Sequence, residues 1–313
     1  MTLTVHLRVT PTMKRWWRNR DFILILSVFC GLLLGQGAAW TKPLVLPALA
    51  VVMTLSTMGV KSDALRSGQG WWRPVLSGLL LNYVMLGGVL LGLSSFMISE
   101  AAIRDGFVLL VAVPPAIAVI PFTDFLKGNT AFSLLGTVAC YLGALVFSPL
   151  ISLAFLGTGF IEPWSLIMVI AELILVPLIL SRILLWSSLG RRLDPVKGTI
   201  TNWSFFLVMY TIVGFNREFF FTRPLILLPV VVIAVASTFI LGGLIEKVGR
   251  FMNIDRPTLT SLVLLGTLKN YGIAGGLALT LFSRKTALPA AVSSVFMIVY
   301  IIWLDLKKRR MDR

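Results

Sequence analysis

Three polar residues interrupt one of the most apolar stretches of the chain, and they are the first candidates for chemistry. The stretch runs from Leu262 to Leu281 and is long enough to cross a bilayer, which takes about 20 residues. Lys269, Asn270 and Tyr271 lie near its centre. A lysine at that depth costs about 2.5–3.5 kcal/mol on insertion scales. We therefore expect Lys269 to face a polar cavity or a partner; the alternative is a structural lysine paired with carbonyls at a helix end.

A second irregular point lies in the run Val108–Asn129, which contains Pro114, Pro115 and Pro121. Each proline removes a backbone hydrogen bond and clashes with the preceding helical turn. In lipid the freed carbonyls need another partner. The pattern predicts a helix that is broken near the middle of the membrane, with its loose ends lining a cavity. Glycines around Gly272 give the run that contains Lys269 a matching weak point.

The elements that must position these residues are long apolar runs. The chain has 57% apolar and only 13% charged residues, and its mean hydropathy is +0.92, which is typical of an integral membrane protein with many spans. Ten runs can be read: Phe22–Ala38, Pro43–Val60, Val75–Ile98, Ile103–Ile120, Thr130–Leu156, Trp164–Leu185, Ile200–Phe215, Leu225–Leu244, Leu259–Phe282 and Ala287–Leu304.

The two weak points fall in runs four and nine, five runs apart. This spacing predicts an all-α polytopic membrane protein with ten transmembrane helices, built as two inverted five-helix repeats whose interrupted helices cross near the bilayer centre. The corresponding divisions are a basic tail (1–20), a first repeat (21–157), a second repeat (158–306) and a basic C-terminal tail (307–313). Proline and glycine are common in membrane helices, so either break alone would mean little; the matched pair favours a binding site.

The distribution of charge sets the orientation. Of the 28 Lys and Arg residues, twenty fall on the side of the two termini, six fall on the other side, and Arg182 and Lys269 lie within runs. The positive-inside rule then places both termini in the cytoplasm, as in a bacterial inner membrane protein. The net charge of +15 therefore reflects loops and tails, and we expect no nucleic acid partner. The first run could instead be a cleaved signal peptide; we expect it to be retained.

The residue inventory argues against an enzyme. The two cysteines, Cys30 and Cys140, lie in apolar runs, and the single histidine, His6, lies in the tail. The runs hold no paired carboxylates, no nucleophile with a base and no metal-ligand spacing. We expect no catalytic residues, no metal site and no cofactor, and no obligate protein partner is evident.

Several motifs resemble the bile acid:sodium symporter family. They are the segment Pro114–Pro149, which begins PPAIAVIPFTDFLKGN, the sequence LKNYGIAGGLAL around Lys269, and Met53–Leu65. The resemblance implies a core domain of helices three to five and eight to ten, and a panel domain of helices one, two, six and seven. It also implies that substrate binds between the two domains, near the crossing of the interrupted helices.

The family's sodium ligands are only partly matched. Ser133 and Thr137 keep the hydroxyls of the fifth helix, with the spacing that puts both on one helix face. Asn82 stands where the family usually has a glutamine. The polar pair at the fourth-helix break aligns with two apolar residues, Val119 and Ile120, which cannot bind sodium.

In the ninth helix the family's acidic ligand aligns with Leu265 and its glutamine with Lys269. The anionic ligand is absent, and a fixed cation stands one turn further on, in place of the glutamine. The hypothesis is that the Lys269 ammonium occupies the position of a sodium ion, held by Ser133, Thr137 and Asn82. Sodium is therefore not expected as a co-substrate.

Asp124 and the related arsenite permeases leave further alternatives. Asp124 could pair with Lys269 or carry a proton, or it could be a cytoplasmic helix-end residue near Lys127. The segment TDFLKGN also resembles the arsenite permeases of the same superfamily, whose cysteine at the break is Pro115 in this chain. Arsenite is therefore not the expected substrate.

The resulting prediction is a sodium-independent secondary transporter that moves a small organic anion, such as a carboxylate, by alternating access. The alternatives are a sodium- or proton-coupled symporter or effluxer of bile-acid-like or metalloid oxyanion substrates, and a membrane sensor on the same fold. The sequence has no ATP-binding GxxxxGK[ST] motif, so transport would draw on gradients or run as a uniporter.

Overall fold

The computed structural model describes residues 17–58, 70–116, 118–156, 163–222 and 224–311. Within these ranges the chain is helical, with no strands. The α-helices are α1 Arg20–Leu34, α2 Ala38–Thr41, α3 Val45–Thr57, α4 Trp72–Leu79, α5 Gly87–Met97, α6 Ala101–Ala112, α7 Val119–Phe125, α8 Thr130–Leu156, α9 Pro163–Trp186, α10 Ser188–Leu193, α11 Lys197–Thr222, α12 Pro224–Val235, α13 Leu241–Phe251, α14 Arg256–Thr267, α15 Tyr271–Leu281 and α16 Leu288–Met311.

Seven helical stretches of the described chain are long and apolar enough to cross a membrane. This confirms the prediction of an all-helical integral membrane protein. The seven stretches are Phe22–Thr57, Trp72–Met97, Thr130–Leu156, Lys197–Thr222, Leu225–Phe251, Arg256–Leu281 and Leu288–Arg310.

The stretch Phe22–Thr57 contains two of the predicted runs, joined by short 3-10 turns at Gly35–Gly37 and Lys42–Leu44. The order of contacts along α11 shows that the chain reverses here. Gly35 lies against Gly214, whereas Thr41, further along, contacts Thr211, one turn back on α11. The arms α1 and α3 therefore both pack against α11, and a side chain at Gly35 would collide with the Gly214 backbone.

The helices divide into two groups by their contacts. The first group consists of α1, α3, α9 and α11, which pack on one another. The second group surrounds the two short helix pairs α6/α7 and α14/α15, which pack against α4, α5, α8, α13 and α16. The second group contains the most deeply buried stretch, since every residue of the most apolar window in Arg256–Leu281 is buried.

Two π-helical turns interrupt otherwise continuous helices, at Leu80–Leu86 between α4 and α5, and at Ala236–Ile240 between α12 and α13. A π turn inserts one extra residue into the helical repeat and so changes the face on which the following side chains lie. The first π turn contains Asn82 and Tyr83, both buried. It positions these two side chains towards the breaks.

Candidate functional site at the crossing of two broken helices

The first break separates α6 from α7. Helix α6 ends at Ala112, and Val113 is extended, with φ −74° and ψ 153°. Proline disfavours the helical conformation in the residue that precedes it, so Pro114 explains the ending. Of the three predicted breaking residues, Pro114 and Pro115 lie between the helices. Pro121 was wrongly assigned to the break: it lies in the first turn of α7, where backbone N–H groups have no partner within the helix.

The second break separates α14 from α15 and is centred on Lys269. Helix α14 ends at Thr267, and Leu268 is extended, with φ −111° and ψ 128°. Asn270 starts the next helix as its N-cap, because its Oδ1 accepts a hydrogen bond of 3.0 Å from the Ile273 backbone N–H. Gly272, predicted at the break itself, is the second residue of α15.

The two breaks are in direct contact. The backbone N–H of Asn270 donates to the Pro114 carbonyl at 3.0 Å. The Asn270 side-chain amide donates to the Tyr141 hydroxyl, also at 3.0 Å, which ties the second break to α8. Backbone N–H and C=O groups that lie outside the helices at one break thus form hydrogen bonds with the other break. Buried backbone groups in an apolar environment need such partners.

Lys269 is fully buried, and its ammonium contacts three oxygen atoms. Nζ donates to Asn82 Oδ1 at 2.7 Å and to the carbonyls of Val111 and Val113 at 3.0 Å each. Val111 is the residue whose carbonyl would accept from the N–H that Pro115 lacks. The lysine therefore satisfies a carbonyl that the proline frees.

Two further carbonyls at this break also accept hydrogen bonds from other parts of the chain. Ser148 Oγ donates to the Ala112 carbonyl, and Asn270 binds the Pro114 carbonyl. A helix C-terminus carries partial negative charge, and a cation near its last turn is stabilised by it. The ammonium of Lys269 lies at the C-terminal end of α6, where that field favours a positive charge.

No carboxylate among the described residues forms an ion pair with Lys269. Its other neighbour is the Tyr83 ring, whose centroid lies 4.5 Å from Nζ, close enough for a cation–π interaction. The Tyr83 hydroxyl is anchored by donation to the Cys140 carbonyl at 3.0 Å. The positive charge is therefore stabilised by neutral dipoles and a π face, without a negative counter-charge in this part of the structure.

Asn82 is held in place from both sides of its amide. Its Nδ2 donates to the carbonyls of Leu265 and Leu268, at 2.9 and 3.2 Å, which lie at the C-terminal end of α14. This leaves Oδ1 to accept from Lys269. The predicted contact between Asn82 and Lys269 is present in the structure.

The other two predicted contacts of Lys269 are not made. Ser133 Oγ pairs with Thr123 Oγ1 at 2.7 Å, and Thr137 Oγ1 is buried without a hydrogen-bond partner among the described residues. Both residues are buried, and Ser133 reaches α7 through Thr123. The lysine instead reaches the carbonyls of α6, because these acceptors had lost their helical donors.

Asp124 lies outside this site. It is exposed, one residue before the end of α7, and its carbonyl accepts from the Lys127 backbone N–H at 2.9 Å. The pairing of Asp124 with Lys269 is not formed, and the helix-end alternative describes its position. The third predicted residue of the Lys269 segment, Tyr271, is buried as the first residue of α15.

The glycines of α15 form a smooth face against the first helix group. A Cβ atom at Gly272 would lie 3.0 Å from Leu49 and 3.5 Å from Val208, and one at Gly275 would lie 2.6 Å from Ile212. These contacts come from α3 and α11. Because these glycines have no side chain, α3 and α11 can pack closely against the backbone of α15 just after the Lys269 break.

Sequence reasoning missed several members of the site, although two features of the sequence, a proline and the periodicity of one helix, pointed to some of them. Proline frees the carbonyl four residues earlier, so Pro115 points to Val111. Ser133, Thr137, Cys140, Tyr141 and Ser148 follow the three- and four-residue spacing of one helix face, and all five are buried. The role of Tyr83 had no signal, because it depends on the π turn.

The residues at the crossing do not fit a sodium site with the ligands that the resemblance implies. Sodium needs oxygen ligands. Asn82 Oδ1 and the Val111 and Val113 carbonyls already accept from Lys269. Val119 and Leu265 offer only apolar side chains. What remains of the implied set is the group of neutral hydroxyls on α7 and α8, Thr123, Ser133 and Thr137.

The fold and this site define an integral membrane protein with a buried cation where two interrupted helices meet. Residues 46–223 match the Sodium Bile acid symporter family. The chain belongs to that family, which confirms the resemblance seen in the sequence and points to a transporter rather than an enzyme. The matched range ends before α14, so Lys269 lies outside it.

One relative is the "Uncharacterized sodium-dependent transporter YocS" of Bacillus subtilis (strain 168). It is 26% identical over 225 residues, which cover 71% of this chain and 69% of the relative.

Proposed function

We propose that this protein is a secondary transporter that moves a small organic anion by alternating access without sodium. The observation that carries the proposal is the Lys269 ammonium, which has three oxygen acceptors at 2.7–3.0 Å. A buried ammonium held only by neutral oxygens is in the same electrostatic position as a bound monovalent cation. It would supply permanently the positive charge that a coupling sodium ion supplies transiently.

Paired features in the two halves of the chain support a fold of two five-helix repeats. In the first half, the π turn starts at Leu80 and the break at Val113, 33 residues later. In the second half, the π turn starts at Ala236 and the break at Leu268, 32 residues later. Such correspondence is expected of an internal repeat. The ten-helix arrangement, with its core and panel domains, is the architecture that we propose.

The charge of Lys269 supports an anionic substrate. A buried charge without a counter-charge is costly, and a nearby anion would reduce that cost. The N-terminus of α15, which begins at Tyr271, directly follows the break, and the positive end of its helix dipole also favours an anion. A carboxylate is the simplest group that fits both features.

The route for that anion lies between the two helix groups. The contacts of Leu49, Val208 and Ile212 with the α15 glycines close the side of the crossing that faces α3 and α11. We propose that α3 and α11 move away from α15 to admit substrate, first from one side of the membrane and then from the other. Apolar contacts without interlocking hydrogen bonds suit such a sliding interface.

A sodium-coupled mechanism is the second candidate, and it rests on two observations. The relative is named for sodium dependence, and Thr137 leaves a buried hydroxyl unpaired near the Thr123–Ser133 pair. Against this candidate stands Leu265, an apolar residue at the position where the resemblance implies the acidic sodium ligand.

Uptake by proteoliposomes tests the proposal. A panel of labelled carboxylates would be offered with inward sodium, with potassium at equal ionic strength, and with or without a pH gradient. We expect saturable uptake of at least one carboxylate at equal rates in sodium and potassium. Uptake that requires sodium would refute sodium independence, and the absence of saturable uptake for every carboxylate would refute the substrate class.

A further inference from the structure

A second site lies far from Lys269, at the end of the helix bundle where α7, α13, α14 and α16 meet. It is a cavity of about 150 Å³. Its charged lining consists of Lys127, Arg250, Arg256, Lys307, Lys308 and Glu246. Five positive charges and one negative charge leave the cavity with an excess of four positive charges. Every one of these basic residues belongs to the side that the positive-inside rule places in the cytoplasm.

Internal contacts offset only part of this charge. Glu246 forms ion pairs with Arg250 and Lys307, and Lys308 donates to the Leu126 carbonyl. Arg256 is exposed and forms no ion pair within the described residues. Lys127 likewise forms no ion pair within the described residues. The positive charges of Lys127 and Arg256 would therefore bind an anion.

The surroundings place the cavity at the depth of lipid headgroups. Trp303 stacks on Tyr300 at a centroid distance of 5.8 Å, and Lys307 Nζ lies 5.0 Å from the Trp303 ring. Tryptophan beside basic residues is typical of the membrane–water interface. The cavity therefore opens where phosphate groups of the bilayer are found.

An apolar strip leads from this depth towards the membrane interior. Leu244, Val248 and Phe251 follow one face of α13, and 48%, 47% and 89% of their surfaces are exposed. Arg250 lies beside the strip on the same helix. A soluble anion would gain nothing from this strip, whereas the acyl chains of a lipid could lie along it.

We propose that this cavity binds the phosphate group of an anionic phospholipid, with the acyl chains along the strip on α13. The recognised chemistry is a phosphodiester, which the guanidinium of Arg256 can bind through two parallel hydrogen bonds. A net positive cavity at this depth selects anionic over zwitterionic lipids. The proposal is independent of the role of Lys269.

The proposal links the lipid to both interrupted helices. Leu126 and Lys127 directly follow α7, and Arg256 is the first residue of α14. The two segments already meet through the Asn129 backbone N–H, which donates to the Pro257 carbonyl at 2.9 Å. A phosphate bridging Lys127 and Arg256 would reinforce this junction, so bound lipid should raise the stability of the folded protein.

The test uses the full-length protein in nanodiscs of phosphatidylcholine alone or with about one third phosphatidylglycerol. Two quantities are measured: the thermal unfolding midpoint, and the number of lipids that the protein retains in native mass spectrometry. The variant K127Q/R256Q removes two cavity charges. The matched control R191Q/R192Q removes two exposed charges of the same side, on α10, that neither line the cavity nor lie on the strip. A further arm adds inorganic phosphate to the phosphatidylcholine nanodiscs.

We expect phosphatidylglycerol to raise the midpoint of the wild type and the control equally, and to raise that of K127Q/R256Q by less than half as much. Retained phosphatidylglycerol should fall about tenfold for that variant. Equal responses of the two double variants would overturn the proposal, because the effect would then be a general surface charge effect. Stabilisation by inorganic phosphate alone, equal to that by lipid, would also overturn it.

If K127Q/R256Q fails to fold, R256Q is measured alone. Arg256 is exposed at the start of α14, where a positive charge is not favoured by the helix dipole, so this change should leave the stability in phosphatidylcholine intact. A full lipid response by R256Q would contradict the proposed role of its guanidinium.

Discussion

Replacing Lys269 with methionine should destabilise the protein, although it removes a buried charge. The change leaves Asn82 Oδ1 and the carbonyls of Val111 and Val113 without their donor. Hydrogen bonds from a charged group are worth about 1.5–3 kcal/mol each, so three bonds give a gross loss of about 4.5–9 kcal/mol. The methionine variant also avoids the desolvation cost of the buried ammonium, which recovers several kcal/mol. We expect a net loss of about 3 kcal/mol in the free energy of unfolding.

The assay is the apparent thermal unfolding midpoint of the purified protein in detergent. A loss of about 3 kcal/mol corresponds to a decrease of about 6 °C, at about 2 °C per kcal/mol for a large domain. Glutamine can donate two hydrogen bonds, so K269Q should lose about half as much as K269M. The exposed Lys247 on α13 provides the matched control, and K247M should leave the midpoint unchanged.

The reasoning would be refuted if K269M unfolded within about 1 °C of the wild type. That result would mean that the three oxygen atoms do not depend on the ammonium. Greater stability of K269M would show that desolvation of the charge exceeds the value of its hydrogen bonds, a known outcome for buried ionic groups.

Three further changes test separate parts of the account. N82D places a carboxylate against the Lys269 ammonium and leaves the Leu265 and Leu268 carbonyls without their donor. The variant should therefore be less stable and should lose most anion uptake, measured in proteoliposomes. G106A should lower the unfolding midpoint by several degrees, because its Cβ would lie 2.2 Å from a backbone carbonyl before α16, whereas G92A, in open space, should not. T137V removes a buried unpaired hydroxyl and should leave stability and uptake unchanged.

A different result would contradict each of these three predictions. Full uptake by N82D would show that the net charge at the crossing does not matter for transport. Equal midpoints for the two glycine variants would show that α6 and the segment before α16 are not in close contact. A selective loss of uptake in T137V would favour the sodium-coupled candidate, because only a ligand role would need that hydroxyl.

The sequence predicted the two breaks because proline and an embedded lysine have unavoidable consequences in an apolar helix. In the structure Pro114, Pro115 and Lys269 lie between the paired helices, and Asn82 accepts a hydrogen bond from the lysine. The sequence could not show that Lys269 reaches the end of α6, since this depends on how the two breaks cross. The hydroxyls of Ser133 and Thr137 were chosen by resemblance, and both are buried without a hydrogen bond to Lys269.

The positions of Pro121 and Asp124 show a second limit of prediction from sequence. Both follow Pro115 closely in sequence, so sequence alone could not tell where the break ends and the next helix begins. The structure starts α7 at Val119, which puts Pro121 in a first turn that tolerates it and carries Asp124 to the exposed end. The reversal near Gly35 could not be predicted either, because it depends on contact with Gly214, which is distant in sequence.

The central claim is that Lys269 takes the place of a coupling sodium ion, and it can be tested without knowing the substrate. The measurement is the unfolding midpoint in sodium chloride against potassium chloride at equal concentration, for the wild type and for L265E/K269Q, which restores the two family ligands that the resemblance assigns to these positions. A site with a Kd of about 10 mM would add about 1.4 kcal/mol at about 100 mM sodium. The account predicts no sodium-specific shift for the wild type and a sodium-specific increase for L265E/K269Q. A saturable, sodium-specific increase in the wild type would contradict it.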